Sequence, residues 1–345
     1  MIKVLADGRF LSRPISGIGR VTTELALRFL AAENISVTFH NSDKNLNPAY
    51  LNLHAFNVTR RPRSNDYSVY WGCAHRLPFL LPKHMKRLLT IHDLVWRLYP
   101  ETMRFKTLLG EHIYFNRSVR SADHIVCISE ETQTQLQRHM QMLTSISVIP
   151  HGGDFTSEKK TGGVFHTMSQ GLNGLYVGSF EPRKNIARAI EGLMKANATL
   201  DTRIKLTLVG ADTWDDNLWS LAKNCEYITM ITEVDNRELH NLYQQADFLI
   251  CPSIYEGFGL PIVEAAHHGI PLLLSRCNSH LEIAKGNAIY FDPLNVDSIA
   301  SAFLSFANEP SPQAFKEKSK NIARQFTWEH AANKYIEIFK NLASQ

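Results

Sequence analysis

The fold of this chain is decided by the stretch PSIYEGFGLPIVEA at residues 252–265. It follows the apolar segment 248–251, which predicts a β-strand, and it opens a predicted helix at Pro261, a residue that suits the first helical turn. Gly257 and Gly259 let backbone N–H groups approach a ligand closely. Because a helix N-terminus carries partial positive charge, the stretch predicts a strand–loop–helix junction that binds an anion.

Two carboxylates flank this junction. Glu256 precedes the predicted helix, and Glu264 lies about one turn inside it. Carboxylates placed in this way can accept hydrogen bonds from hydroxyls at two points of one extended ligand. A glycine-rich turn with two surface acids is the alternative, but the preceding strand and the GFGLP sequence between the glutamates favour a ligand site.

A second strand–loop–helix junction occurs at VGSFEPRKNI, residues 177–186. Gly178 ends the predicted strand, and Arg183 and Lys184 supply adjacent cations beside a predicted helix start. A departing diphosphate needs its charge neutralised, which arginine does with paired hydrogen bonds and lysine as a compact charge. The position after a strand favours this role over that of a solvated surface pair.

A histidine follows a predicted strand in the first half of the chain, in the motif TIHDL at residues 90–94. His92 can donate to a sugar hydroxyl or move a proton, and Asp93 could orient it. A purely structural His–Asp pair is the alternative. The location at a strand end favours a functional role for His92.

The motif SGIGR at residues 16–20 follows the first predicted strand. It resembles a dinucleotide-binding loop, but Thr22 stands where the third glycine belongs and no acidic residue ends the second strand. A nicotinamide cofactor is therefore disfavoured. Gly17 and Gly19 are predicted instead to border donor phosphates or the acceptor.

Strand-like and helix-like segments alternate along the whole chain, which predicts an α/β fold with parallel sheets covered on both faces. The length suggests two domains. We predict an N-terminal domain at 1–153, a linker rich in Gly, Ser, Thr and Lys at 154–173, a C-terminal domain at 174–325, and a final segment at 326–345.

Composition narrows the class of protein further. Five widely spaced cysteines without a C-x-x-C pattern fit a reducing compartment, and no run of 18 apolar residues occurs, so we expect a cytoplasmic protein. Residues 1–150 carry 19 basic against 11 acidic side chains, and residues 151–345 carry 18 against 22. The basic half could meet an anionic membrane surface, or its charges are merely scattered. No compact basic and aromatic stripe indicates nucleic-acid binding.

The motifs EGFGLPxxEA, EPRKN, SGIGR and TIHDL together resemble those of the retaining glycosyltransferases of family 4, most closely the mannosyltransferase B-like branch. The resemblance runs from about Asp7 to Trp328. It implies the GT-B fold, in which two Rossmann-like doubly wound domains face each other across a cleft and the C-terminal helix crosses back to the first domain. It also implies retaining transfer without metal or cofactor, and the chain contains no D-x-D motif for a metal.

The resemblance also implies roles for individual residues. Arg183 and Lys184 would hold the donor diphosphate, Glu256 would contact hydroxyls of the transferred sugar, and His92 would lie near its 6-hydroxyl. Glu264 would bind the ribose, and the base would stack near Val234. The remaining expected donor-binding positions are Gly17, Gly19, Gly178, Phe258, Gly259 and Leu260.

The expected reaction moves a sugar from a nucleotide-sugar donor to a saccharide acceptor, in the synthesis of bacterial surface polysaccharide. By branch resemblance the donor is GDP-mannose, with UDP- and dTDP-sugars as alternatives, and a lipid-diphosphate-linked acceptor suits the basic half. Two other functions fit the same fold: a nucleotide-sugar epimerase or phosphorylase, and a non-catalytic subunit that binds a sugar nucleotide.

Overall fold

The computed structural model describes residues 1–12, 16–41, 56–103, 105–141, 144–154, 171–210, 216–308 and 312–345. These residues form two compact units. Unit 1 comprises 1–152 together with 327–345, and unit 2 comprises 153–326. Of the predicted linker at 154–173, residues 155–170 lie outside the described residues.

Each unit is built on a parallel β-sheet, as the alternating sequence pattern predicts. The strands of unit 1 are β1 Ile2–Asp7, β2 Ile35–His40, β3 Asn57–Thr59, β4 Val69–Gly72, β5 Lys86–Ile91, β6 His124–Cys127 and β7 Ser145–Val148. Those of unit 2 are β8 Leu172–Val177, β9 Ile204–Val209, β10 Ile228–Ile231, β11 Phe248–Cys251, β12 Leu272–Ser275 and β13 Ile289–Phe291.

Helices connect and cover these strands. They are α1 Gly17–Leu30, α2 Val95–Leu98, α3 Phe105–Ser121, α4 Glu130–His139, α5 Ile186–Asn197, α6 Asp216–Lys223, α7 Asn236–Gln245, α8 Leu260–His268, α9 Asn278–Ala284, α10 Val296–Ala307, α11 Pro312–Ala323 and α12 Trp328–Ala343. Within the part of the chain that the structure describes, no helix has the length and apolar character needed to cross a bilayer.

The strand order is the same in principle in both sheets. Unit 1 has the order β3-β2-β1-β4-β5-β6-β7, and unit 2 has β10-β9-β8-β11-β12-β13. In each sheet, the strands that follow the first strand are added on one side of it. The later strands are then added on its other side. The reversal falls between β1 and β4 and between β8 and β11. In doubly wound sheets, ligands bind at the carboxyl ends of the strands beside such a reversal.

The core of unit 1 includes the C-terminal helix. Tyr335 and Phe339 of α12 pack against Phe29 of α1 and Trp71 of β4, with ring centroids 5.4–6.3 Å apart. The Trp71 Nε1–H donates to Thr90 Oγ1 at 3.1 Å, and this hydroxyl lies 3.0 Å from the Tyr335 hydroxyl. Aromatic rings in such contacts contribute more than their buried area alone. Residues 328–343 are therefore an integral part of unit 1.

The core of unit 2 is also rich in aromatic contacts. Phe248 of β11 packs edge-on against Phe303 and Phe306 of α10, and Phe306 packs against Phe315 of α11. All five cysteines of the chain are buried free thiols. The C-terminal part of the chain, from Val296, forms three helices, α10, α11 and α12.

Candidate functional site

The loop after β8 is fixed to the loop after β11 by one asparagine. Asn185 adopts a left-handed conformation with φ 60° and ψ 31°, between a 3-10 turn at Pro182–Lys184 and the start of α5. Its buried amide donates to the carbonyl of Pro252 at 3.1 Å and to that of Pro293 at 2.7 Å. The conformation and the two bonds set the position of the cations that precede Asn185.

Gly178 lies where this loop leaves β8. Its φ is +154°, and a Cβ at this position would lie 2.8 Å from the Tyr176 hydroxyl. Its amide donates to the carbonyl of Val209 at 2.9 Å. A glycine is therefore required to turn the chain away from the sheet at this point.

The centre of the site is an ion pair between the two loops. Lys184 Nζ donates to Glu256 Oε1 at 2.5 Å, and the Ser253 hydroxyl donates to the same oxygen at 2.7 Å. Lys184 follows β8 and Glu256 follows β11, the two strands that flank the chain reversal of the unit 2 sheet. The structure thus brings together the two motifs that the sequence pattern singled out, although 72 residues separate them.

Arg183 lies beside this pair. Its Nε is 2.9 Å from Glu181 Oε2, and its Nη1 is 3.3 Å from the Tyr255 carbonyl and 3.8 Å from Glu256 Oε2. Both cations are largely buried, since 13% of each side chain is exposed. Because buried charges are stable only when paired, the carboxylates of Glu181 and Glu256 hold the two cations in place.

The cations determine the charge of Glu256. Burial alone raises the pKa of this carboxyl, but the positive charges of Lys184, Arg183 and His280 outweigh it and lower the pKa to about 2. At neutral pH Glu256 is therefore ionised and acts only as a hydrogen-bond acceptor.

The start of α8 presents backbone amides close to Glu256. Gly259 has φ +125°, and a Cβ there would lie 2.8 Å from Ile262 Cδ1. Leu260 begins the helix, and a proline follows in its first turn. The Phe258 ring is buried against Phe326, with centroids 5.8 Å apart, so any contact of Phe258 with a ligand uses its backbone.

Glu264 lies in the second turn of the same helix. It is buried, and its Oε2 accepts a hydrogen bond from the Tyr243 hydroxyl of α7 at 2.7 Å. Glu256 and Glu264 therefore occupy the loop before α8 and the helix itself, the arrangement expected for carboxylates that contact two parts of one ligand.

Val234 occupies the loop between β10 and α7 and is partly exposed. The loop ends in a capping box, in which Asp235 Oδ1 accepts from the Glu238 amide at 2.7 Å and Glu238 Oε2 accepts from the Asp235 amide at 3.0 Å. Such a box fixes the entry of the chain into the helix. Val234 thus lies at the carboxyl end of the sheet of unit 2, on an anchored loop.

The predicted residues of unit 1 are held differently. His92 is buried after β5, and its Nε2 donates to the Cys73 carbonyl at 2.7 Å. Burial lowers the pKa of His92 to about 4, so the imidazole is neutral at pH 7. Asp93 does not hold this ring as the sequence suggested: its Oδ1 accepts from the Val95 amide at 3.1 Å and caps the turn that follows. Because Nε2 bears the proton, Nδ1 of His92 can only accept.

Gly17 and Gly19 begin α1, after β1. The Ser16 hydroxyl caps this helix and accepts from the Gly19 amide at 3.2 Å. Gly17 is exposed, and a Cβ there would meet no atom of the described chain within 4 Å. The two glycines thus form an open, capped helix N-terminus at the carboxyl edge of the sheet of unit 1.

Several residues of the site carried no recognisable signal in the sequence. Tyr243 lies 21 residues before the Glu264 carboxylate that it bonds, and His280 lies on α9, outside both motifs, so only the folded chain shows their contacts. Ser253 lies within the motif of residues 252–265, but a serine there does not by itself indicate a bond to Glu256. Asn185, directly after the two cations, was the one with a local signal, since asparagine tolerates the left-handed conformation that ends a turn.

Comparison with known proteins shows which proteins this chain is similar to. Residues 173–325 match the family model described as glycosyl transferases group 1. The chain is 26% identical to O-antigen chain mannosyltransferase B of Escherichia coli, over 99% of this chain and 100% of that protein. It is also 26% identical to O-antigen chain mannosyltransferase RfbU of Salmonella typhimurium, over 72% of this chain and 67% of the relative.

A solved structure supports the fold. Sucrose-phosphate synthase from Thermosynechococcus elongatus superimposes with a TM-score of 0.77 at 18% identity, with all of both chains covered. The match spans both parallel sheets, and the family match covers the cation and carboxylate motifs of unit 2. Residues 173–325 are therefore a glycosyltransferase domain of group 1, within a chain that has the two-domain GT-B fold.

Proposed function

We propose that this enzyme transfers mannose from GDP-mannose to a saccharide acceptor, with retention of configuration and without a metal ion, in O-antigen-type polysaccharide synthesis. The identity of the donor sugar and the pathway rest on the similarity to the two mannosyltransferases named above. The absence of a metal from the reaction rests on the site of unit 2. The observation that carries the proposal is the placement of Arg183 and Lys184 against Glu256, in the loop that precedes α8.

The charge balance of this site suits a nucleoside diphosphate. Two cations face two carboxylates, Glu181 and Glu256, and the N-terminus of α8 adds partial positive charge. An ammonium has three hydrogens, and the structure shows one of those of Lys184 bonded to Glu256. The others can bond phosphate oxygens without loss of the existing pair. Fixed positive groups of this kind stabilise charge as it develops on a leaving group.

The proposed reaction exchanges one bond at the anomeric carbon of the donor sugar. The bond from this carbon to the phosphate oxygen breaks, and the acceptor oxygen forms a new bond on the same face through an oxocarbenium-like state. The departing phosphate oxygen takes the proton of the acceptor hydroxyl. The nucleoside diphosphate leaves with that proton, so no enzyme carboxylate needs to act as a nucleophile or an acid.

Each side chain then has a binding or electrostatic role. Arg183 and Lys184 neutralise the diphosphate, and the backbone amides at Gly259 and Leu260 face the sugar and phosphate. Glu256, ionised throughout the neutral range, accepts hydrogen bonds from sugar hydroxyls. Glu264, held by the Tyr243 hydroxyl, is placed to accept from the ribose hydroxyls.

His92 has a narrower role in this proposal than proton transfer. With its Nε2–H bonded to the Cys73 carbonyl and its pKa near 4, it stays neutral and presents Nδ1 as an acceptor. A neutral acceptor suits a sugar hydroxyl and does not suit a phosphate oxygen, which has no hydrogen to donate at neutral pH.

A thermal-shift screen tests the donor class first. We expect GDP to raise the melting temperature more than UDP or dTDP, because a ligand that binds only the folded state stabilises it. Turnover of GDP-mannose with a saccharide acceptor should then persist in excess EDTA, and NMR of the product should show an axial, α-linked mannose. Loss of turnover in EDTA, or a β-linked product, would refute the metal-free retaining mechanism.

The same assays separate the two alternative functions. Isomerised donor in the absence of any acceptor would indicate an epimerase. Nucleotide-sugar binding without turnover on any acceptor would indicate a non-catalytic subunit. Variants Lys184→Ala and Glu256→Ala complete the test, since the transferase requires both side chains and normal turnover in both would refute it.

The acceptor proposal concerns a surface of unit 1. We propose that an anionic bilayer bearing a lipid-diphosphate-linked acceptor meets the Phe79 surface, defined as Phe79, Leu80, Leu109, Ile113 and Arg117. The four apolar side chains are 51–91% exposed, and the Arg117 guanidinium lies 4.3 Å from the centre of the Phe79 ring. Exposed apolar side chains next to cations are typical of surfaces that bind anionic lipid.

Vesicle flotation tests this surface. The wild-type protein should float with phosphatidylglycerol-rich vesicles and not with pure phosphatidylcholine, and Leu80→Ser with Ile113→Ser should abolish flotation. Leu294→Ser is the control, because Leu294 is an exposed leucine of unit 2. Undiminished flotation of the double variant would contradict the assignment of this surface.

A further inference from the structure

One buried histidine of unit 2 has no place in the mechanism described above. His280 lies on α9 and is 0% exposed. Its Nδ1 is 3.0 Å from the Ser275 hydroxyl oxygen. That hydroxyl donates its own hydrogen to the Ser253 carbonyl at 2.6 Å, so it must accept from the ring. Nδ1 therefore carries a proton, and the second nitrogen, Nε2, determines what else His280 can bind.

Nε2 of His280 has no hydrogen-bond partner among the described residues, although it is inaccessible to solvent. A buried polar atom without a partner destabilises a protein by about 1–3 kcal/mol, and such atoms are rare in native structures. Where such an atom does occur in a native structure, a bound ligand is one way in which it gains a hydrogen-bond partner.

The position of the ring points to that ligand. A Cβ on Gly259 would lie 3.5 Å from His280 Cδ2, the ring carbon bonded to Nε2. The edge of the imidazole that carries Nε2 therefore lies against the glycine that opens α8. Gly259 is also the backbone position where the sugar and phosphate of the donor are expected.

A chain of hydrogen bonds fixes His280 relative to Glu256. The Ser253 carbonyl accepts from Ser275, which holds His280, and the Ser253 hydroxyl donates to Glu256 Oε1. One serine thus positions both side chains. Burial lowers the pKa of His280, but the neighbouring Cys277 and Glu256 side chains outweigh it and raise the pKa above the ordinary value. Neutral His280 presents a lone pair at Nε2, and protonated His280 presents an N–H.

We propose that Nε2 of His280 bonds a hydroxyl of the transferred sugar, next to the hydroxyls bound by Glu256. This rests on the proposed function, which places the donor at the start of α8. A hydroxyl both donates and accepts, so it satisfies Nε2 in either protonation state, whereas a phosphate oxygen satisfies only the protonated one. His280 would then be a positioning residue that reads the configuration of one hydroxyl and contributes to the choice of sugar.

Two isosteric variants separate this role from a structural one. In His280→Asn the side-chain amide can replace Nδ1 and keep the bond to Ser275, but nothing replaces Nε2. In His280→Gln the amide reaches the position of Nε2. We expect His280→Asn to keep its melting temperature and its affinity for GDP, and to lose about tenfold or more in kcat/KM for GDP-mannose, as one hydrogen bond is worth about 1.4 kcal/mol, or tenfold. His280→Gln should recover most of this loss.

The outcomes are distinct. Equal loss in both variants, or a parallel loss of GDP affinity in His280→Asn, would overturn the proposal and indicate a structural or phosphate-binding role. Wild-type turnover in His280→Asn would overturn it as well and leave the proposed function intact. If the wild-type protein binds neither GDP nor GDP-mannose, the proposed function itself fails and this proposal fails with it.

Discussion

His92 of unit 1 and Glu256 of unit 2 occupy similar places and end in opposite charge states. Each follows a strand of a parallel sheet, His92 after β5 and Glu256 after β11, and each is largely buried. His92 is bonded to a backbone carbonyl and stays neutral, with a pKa of about 4. Glu256 is bonded to Lys184 and stays ionised, with a pKa of about 2.

The difference shows that burial does not by itself decide whether a side chain is charged. Burial disfavours the charged form of both groups, but only Glu256 has opposite charges close enough to compensate. Unit 2 therefore concentrates charge where a diphosphate leaving group would be bound, and unit 1 presents a neutral acceptor at its strand end.

Removal of the cation that keeps Glu256 ionised should have the largest effect. We expect Lys184→Ala to lower kcat/KM for sugar transfer by about 10²–10³-fold, the usual loss when one group that stabilises developing negative charge is removed. Steady-state kinetics with the donor chosen by the thermal-shift screen would measure it.

Lys195→Ala is the control for that variant. Lys195 pairs with Asp297 on the surface of unit 2, where both side chains are mostly exposed, and exposed pairs contribute little. We expect less than about a twofold change in turnover. Equal effects of the two substitutions would mean that net charge, and not the position of Lys184, is what matters.

The lowered pKa values of His92 and Glu256 should also produce two ranges of acid pH in which the free energy of unfolding falls. Unfolded histidine takes up its proton near pH 6.5 and folded His92 only near pH 4, so stability falls as the pH falls between these values, by about 3 kcal/mol in all. Unfolded glutamate takes up its proton near pH 4.5 and folded Glu256 near pH 2, so its contribution is lost in that lower window.

Urea unfolding at a series of pH values would resolve these windows. His92→Gln should make the free energy of unfolding depend less on pH above pH 4, and Glu256→Gln should do so below about pH 4.5. The exposed His139, replaced by Gln, should leave both windows unchanged. An unchanged slope in His92→Gln would show that this imidazole is not held neutral.

The loop anchor of unit 2 should have a smaller effect on stability. Asn185→Ala removes two hydrogen bonds to backbone carbonyls, one of them buried, and places alanine in a left-handed conformation, so we expect a loss of about 2–3 kcal/mol in the free energy of unfolding. Asn185→Gly loses the same bonds without the conformational strain, and should be about 1 kcal/mol more stable than the alanine variant. Equal losses would show that the backbone conformation contributes nothing.

The smallest effect is expected at the far end of the same site. Tyr243→Phe removes the hydroxyl that bonds Glu264 and keeps the ring, so it should weaken GDP binding by about tenfold or less, near 1 kcal/mol. Titration calorimetry would measure this. Tyr227→Phe, at a partly exposed tyrosine directly before β10, is the control, and an equal loss there would remove Tyr243 from the site.

Much of the fold follows from local sequence. Strands that alternate with helices predict parallel sheets, and Gly178 and Pro261 mark where a strand ends and a helix begins. The 17-residue helix α3 and the short helix α9 show no comparable local signal in the sequence. Helix α3 keeps exposed apolar residues such as Leu109 and Ile113 on its outer face, which obscures the helical pattern.

The site was predictable only in part, for a physical reason. A motif such as EPRKN indicates that Lys184 follows a strand, but not which strand lies next to it in the sheet. The pairing of Lys184 with Glu256 depends on β8 and β11 being neighbours. The position of His280 depends in addition on Ser275 and Ser253. Their hydrogen bonds connect the ends of separate strands, so the sequence of a single segment does not indicate them.

The adjacency of β8 and β11 has a consequence for how the enzyme matures. The Lys184–Glu256 pair joins residues whose intervening chain must itself form three strands and three helices before the two loops can meet. Contacts that close so long a stretch form late in folding and slowly, because the chain must give up its freedom before they compensate for it. A newly synthesised chain should therefore acquire affinity for its nucleotide only once unit 2 is nearly complete, which makes nucleotide binding a sensitive probe of the last folding steps.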